Sequence, residues 1–181
     1  MSTLTIELPS QRTQTAFNLK RWAELLTDSE LAKIEGRIET DRYGHIIMSP
    51  PPAASHGGFQ LEIGALLREL LPKGRVLTEC PISTADGVKA TDVAWASPES
   101  LRELGNRVCF PRAPEICVEV LSPSNTRAEM KEKMALYFDA GAKEVWLCDK
   151  NGAMEYHIGG SAAKAKVSRI CPEFPARIQL R

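Results

Sequence analysis

Two acidic residues interrupt runs that otherwise read as apolar strands. In ICVEVLS (116–122), side-chain alternation places Glu119 on one face with Cys117 and Leu121. In KATDVAWA (89–96), the same alternation sets Asp92 beside Ala90 and Ala94, opposite Val93 and Trp95, so two small neighbours leave room around the acid. A carboxylate on a strand needs a partner. If these strands pair, the two acids meet at low dielectric, where repulsion raises a pKa or calls for a bound cation. Magnesium suits such a site, because it takes one or two carboxylates together with waters and phosphate oxygens. The competing reading gives each acid its own ion pair or an exposed strand end, and the residues alone leave both open.

Further polar groups fall near this pair. Lys131 and Lys133 flank the apolar stripe of a helix at 127–140 on opposite sides, and helical spacing does not choose between them. Either lysine can instead snorkel along the edge of the core. His56 and Gln60 share a stripe with Phe59 and Ile63 at a helix start, facing the same cleft; for His56 a hydrogen-bonding role at the helix start is preferred over catalysis. Other chemistries lack support. There is no P-loop or GxGxxG cradle, and His45, His56 and His157 lack zinc-ligand spacing. Ser122 lies in LSP rather than in a GxSxG elbow, and it reads as a turn or cap residue.

The elements that must position these groups follow from periodicity. After a polar start at 1–15, Phe17, Trp22, Leu25 and Leu26 begin an amphipathic pattern that Leu31 and Ile34 continue, which predicts a helical N-terminal extension. Residues 37–48 read as a hairpin turning at Tyr43 and Gly44, stopped by 49–52. From Ser55 as N-cap, Phe59, Ile63, Leu66, Leu67 and Leu70 recur at helical spacing until Pro72 and Gly74. Strands are predicted at 75–83, 89–96 and 115–122, with Asp86-Gly87 as a turn and a long loop around 98–114. A second helix at 127–140 carries Met130, Met134, Tyr137 and Phe138 on one stripe and ends at Gly141. A strand at 144–148, the Asn151-Gly152 turn, a strand at 154–157 and a weaker β pattern through Val167, Ile170 and Ile178 complete the chain.

At 181 residues, 43% hydrophobic and 25% charged, the chain is sized for one domain with one proper core. Its formal net charge is zero, from 23 basic and 23 acidic residues, so a basic surface for nucleic acid has to come from folding. The five cysteines (Cys80, Cys109, Cys117, Cys148, Cys171) are widely spaced without a CxxC pair and read as reduced, buried thiols of a cytosolic protein. The start MSTLTIELPSQR lacks signal-peptide character, and no run approaches the ~18 apolar residues of a membrane span, so a cytoplasmic protein without membrane contact is expected.

With these residues in hand, the sequence resembles the bacterial family of putative restriction endonucleases of unknown function (Uma2, DUF820-like) within the PD-(D/E)XK, or restriction-endonuclease-like, superfamily. The resemblance is carried by RIETDRYGHIIMSPPPAASH (37–56), DGVKATDVAW (86–95), PEICVEVLSPSN (114–125), KMALYFDAGAKEVWLCD (133–149) and SRICPEFP (168–175). The EVLSPS element followed by KxxxY is the more specific part. The resemblance implies an α/β fold: a restriction-endonuclease-like core with a central mixed β-sheet flanked by helices, a helical and hairpin N-terminal extension (1–52), the core proper (53–150) and a C-terminal β-hairpin and tail (151–181).

It further implies that Asp92 stands for the acid of the PD motif and Glu119 for that of the (D/E)XK motif, together binding Mg²⁺ or Mn²⁺ with a backbone oxygen such as that of Val120. Thr91 takes the position where proline is usual. Leu121 takes the lysine position, and the family's lysine has moved to the following helix, at the position matched by Lys133. Glu39 matches an acid in the family's first hairpin and is a further candidate, with an exposed hairpin glutamate as the equal alternative. The implied function is a Mg²⁺-dependent endonuclease acting on nucleic acid, DNA in the first instance, in a homodimer. Two rivals stand beside it: a catalytically silent binding or assembly module, which the neutral charge favours, and hydrolysis of a phosphoester that is not nucleic acid.

Overall fold

The computed structural model describes residues 10–33, 36–49, 51–123 and 125–180. A six-stranded sheet has the order β3 (Arg75–Thr84), β4 (Gly87–Ala96), β5 (Ile116–Val120), β6 (Glu144–Cys148), β7 (Met154–Ile158), β8 (Lys164–Ala165). The β5/β6 pair is parallel and the other neighbours are antiparallel. A parallel pair needs a crossover, and helix α4 (Arg127–Asp139) supplies it. Both strands of that pair are buried along their whole length, which is why they read as continuous apolar runs.

A long helix lies on each face of the sheet. On one side Phe59, Ile63 and Leu67 of α2 (Ala54–Leu70) pack against Val93, Val118 and Trp146. On the other, Tyr137 of α4 joins Ala94, Cys117 and Val145. The expected strand alternation thus holds: neighbouring residues of β4 and β5 enter opposite cores. The five cysteines are buried and free.

The helix start at Ser55 is corrected. The N-cap is Ala53, without a side-chain cap bond. Pro52 sets this boundary, because the residue before a proline is held extended and the first positions after it are free to turn. In the long loop after β4, the structure has a short helix, α3 (Pro98–Leu104), with Ser97 capping Ser100 N and Pro98 in the first turn. Its two leucines are only partly buried, so its periodicity is faint.

The N-terminal segment is built into the domain. Helix α1 (Gln11–Leu26) begins inside the stretch that reads as polar and aperiodic, capped by Ser10. Trp22 and Leu25 pack with Val88 and Cys109. Asn18, 1% exposed, donates to Ser83 Oγ at 2.9 Å and to the Thr84 carbonyl at 2.9 Å, pinning the helix to the β3/β4 turn. Leu31 opens a short 3₁₀ turn, Leu31–Lys33, and Ile34 lies outside the described residues.

The hairpin β1 (Arg37–Thr40) and β2 (Ile46–Ser49) pairs antiparallel, with Asp41 Oδ1 accepting the Tyr43 and His45 amides at 2.9 Å each across the turn. Thr40 docks the hairpin on β4 by accepting the Val88 amide at 2.9 Å. Gly152, at φ +78°, makes the β6/β7 turn where a Cβ would fall 2.1 Å from the Ile178 carbonyl oxygen. Beyond β8 the tail leaves the sheet, apart from a bridge between Ala153 and Arg177. Its weak β pattern comes from burial of Cys171, Phe174 and Ile178 rather than from a ladder.

Candidate active site

The β4/β5 ladder runs through Trp95 opposite Ile116, Ala94 opposite Cys117 and Val93 opposite Val118, and there it stops. The next pair in that register is Asp92 opposite Glu119. At this point the strands part, and side chains fill the gap in the ladder. Val120 N–H donates to Asp92 Oδ2 at 2.6 Å, and Thr91 Oγ1 donates to the Val118 carbonyl at 2.8 Å. Thr91 thus uses a hydroxyl that the usual proline lacks to satisfy a buried carbonyl.

The parting opens into a cleft of about 1220 Å³ whose wall includes Arg37, Glu39, His56, Asp92, Glu119 and Lys133. Asp92 is 1% exposed. Its carboxylate contacts Arg37 Nη1 and lies 3.3 Å from His56 Nε2. Burial alone would push the Asp92 carboxyl up, but the His56 bond, the Arg37 charge and the Val120 amide together hold it below the usual carboxylate range. Its hydrogen bond raises His56 in turn.

Glu119 is also buried, with Tyr137 Oη donating to Oε1 at 2.7 Å and Lys133 Nζ donating to Oε2 at 3.1 Å. Burial outweighs the Lys133 charge and, with Asp92 nearby, raises its pKa to about 7. Lys133 Nζ also lies 3.2 Å from the Ala90 carbonyl and 2.9 Å from Glu39 Oε1. All three ammonium hydrogens therefore have acceptors. Burial works against the charge, but Glu119 and Glu39 keep its pKa above the ordinary lysine value. Lys131 points to solvent, so the tertiary structure separates two lysines that a helical wheel treats alike.

Glu39 is half-buried rather than an exposed hairpin residue: besides Lys133, Oε1 accepts the Ala90 amide at 3.0 Å. His56 makes a helix-start bond with its backbone, to the Ala53 carbonyl at 2.9 Å, while its ring turns to Asp92. Gln60 reaches the rim, donating to Glu79 Oε1 at 2.6 Å and to the Asp92 carbonyl at 3.4 Å. The sequence reading missed Arg37 and Glu79. Arg37 was open to detection, since it lies two residues before Glu39 and so on the same face of β1. Glu79 gave no signal. Among the described residues, no group of three or more His, Cys, Asp and Glu side chains converges into a ready metal cage.

The model of the Uma2 family, described as "Putative restriction endonuclease", matches residues 23–167. The chain belongs to the Uma2 family. A search of curated proteins found no match. Among solved structures, the chain is similar to "a putative nuclease belonging to DUF820 from Anabaena variabilis ATCC 29413", at 18% identity and a TM-score of 0.67, covering 86% of this chain and 94% of that one. At that identity the likeness shows a shared fold. The Uma2 match spans every cleft residue discussed above, from Arg37 to Lys133. No helix among the described residues is long and apolar enough to cross a membrane.

Proposed function

We propose that this Uma2 protein is a Mg²⁺-dependent endonuclease that hydrolyses phosphodiester bonds of nucleic acid, with DNA as the first substrate to test. One observation carries the reading: the Asp92 and Glu119 strands part where these two acids would face each other, beside the half-buried Lys133 and open to a cleft.

The donor set fits a hard cation. Asp92 and Glu119 offer carboxylate oxygens, Val120, whose carbonyl is the backbone oxygen the resemblance implies, follows Glu119 directly, and magnesium completes such a partial set with waters and phosphate oxygens. Manganese accepts the same oxygen ligands. Bound there, the ion supplies a Lewis acid and lowers the pKa of a water.

The chain's own residues do the rest. Tyr137 and Lys133 fix one oxygen each of Glu119, and Val120 and His56 fix Oδ2 of Asp92, so the two acids are oriented before substrate arrives. Lys133 is held as a cation by three acceptors, which suits it to stabilising charge on the phosphoryl oxygens and unsuits it to taking a proton. Glu39 positions that ammonium. A homodimer would present two such clefts to a duplex.

The deciding experiment replaces Asp92 by Asn. Metal-dependent cleavage should vanish while circular dichroism is unchanged; undiminished cleavage rejects the assignment. The screen should include RNA and small phosphoesters, and sedimentation at micromolar concentration tests the dimer. A silent module gains support from the Arg37–Asp92 ion pair, which neutralises the acid internally. It is distinguished by calorimetry, since such a module shows no Mg²⁺ or Mn²⁺ binding that depends on Asp92 and Glu119.

A further inference from the structure

The cleft already contains a cation of its own. Arg37, its side chain 20% exposed, touches Asp92 through Nη1, and its guanidinium lies 3.5 Å from Glu39 Oε1 and 3.3 Å from Glu79 Oε2, while Glu119 acts on it electrostatically. Of the two half-buried cations there, Lys133 is saturated by three acceptors on three strands, β1, β4 and β5. Arg37 is held less completely. Its Nε is buried without a hydrogen bond, although a carboxylate oxygen is close enough to form an ion pair.

Glu79 is built to receive it. It stands opposite Asp92 across β3 and β4, in the interval where that ladder skips a pair, and its φ of +49° is rare for a side chain other than glycine. Such conformations are strained and persist where the surroundings enforce them. Gln60 holds Oε1 of Glu79, which leaves Oε2 for the guanidinium. A small movement of Arg37 off Asp92 toward Glu79 would complete the missing Nε hydrogen bond.

We infer that Arg37 is the built-in counter-cation of this site, neutralising Asp92 until a divalent ion displaces it, and that Glu79 is the carboxylate onto which it then moves. The inference rests on the metal-dependent reading above and adds a positioning role for two residues that touch neither water nor substrate in that mechanism. It predicts competition. Whatever removes Arg37 frees the cation site, and whatever removes Glu79 makes displacing Arg37 harder.

The test uses the full chain freed of metal with chelator, titrated with Mn²⁺ by calorimetry, as wild type, Arg37→Gln, Glu79→Gln and the double variant. Circular dichroism reports the fold. Arg37→Gln should bind roughly tenfold tighter, the scale of one charge-assisted hydrogen bond lost by the competitor. Glu79→Gln should weaken binding several-fold in wild type and leave it unchanged in the Arg37→Gln background. A purely electrostatic loss of one acid would weaken both equally, and that result overturns the role of Glu79. Unchanged or weaker binding by folded Arg37→Gln overturns the role of Arg37.

The wild-type protein gives an independent readout. On saturation with Mg²⁺, the Arg37 Nε–Hε resonance should shift and exchange more slowly with water as it gains the Glu79 bond; a resonance that does not move overturns the displacement, even if Arg37→Gln does not fold. Absence of Mn²⁺ binding by all four folded proteins fails the metal reading itself and this inference with it. Binding that requires Asp92 but ignores Arg37 fails the inference alone.

Discussion

Tyr137 donates its hydroxyl hydrogen to Glu119 Oε1 at 2.7 Å from a position with no solvent exposure. One helical turn separates it from Lys133, which takes the other oxygen. Burial and the Glu119 charge push the phenol far above its ordinary value, so it remains a donor. Replacing Tyr137 by Phe leaves Oε1 buried without that partner, which costs about 1–3 kcal/mol. Thermal unfolding should shift downward, and cleavage should fall with it; a variant as stable and active as wild type shows that the bond does not orient Glu119.

Lys133→Met keeps the length of the side chain and removes its charge. Loss of a fixed charge at a developing oxyanion lowers kcat by about 10²–10³. Lys133→Arg should fail almost as badly, because a planar fork does not fit three acceptors arranged around an ammonium. Single-turnover cleavage measures both. Full activity in either variant removes Lys133 from the mechanism.

Glu115, 8% exposed, joins the start of β5 to the cap of α3: its carboxylate accepts Ser97 N at 2.9 Å, Ser97 Oγ at 2.6 Å and Ser100 Oγ at 3.1 Å. Burial raises its pKa, but these donors, Ser97 first, hold it below 4.5. A carboxyl depressed on folding stabilises above its unfolded value, and the contribution disappears as pH falls through the folded value. The gap in melting temperature between wild type and Glu115→Gln should therefore be constant near neutrality and close below about pH 4.5. A gap that widens in acid contradicts the sign.

Glu144 is a structural acid. At 1% exposure it accepts Trp146 Nε1, Ser168 Oγ and Arg169 N at 2.7 Å each, and Ile170 N at 2.9 Å. Glu144→Ala leaves four donors without an acceptor and should cost about 3 kcal/mol or more, near 10 °C in melting temperature for a chain of this size. Limited proteolysis should then cut within 168–180 first. Resistance equal to wild type means that packing of Phe174 and Ile178 alone holds the tail.

Periodicity by itself determined helices α2 and α4, the succession of strands along the chain and the acids that break apolar strands, because burial of one face leaves a local imprint at spacings of 3.6 or 2 residues. Asp92 and Glu119 were legible for that reason, and the family resemblance placed Lys133 beside them. The tertiary structure alone brought Arg37 to Asp92 across 55 positions of chain, bent Glu79 toward the cleft and made Glu144 the clamp of the tail, and it turned Lys133 inward and Lys131 outward where helical spacing had left both open. Ion pairs and buried carboxylates of this kind depend on which remote segments meet and how deeply they are covered. That information is absent from the spacing of neighbours and appears only when the sheet closes.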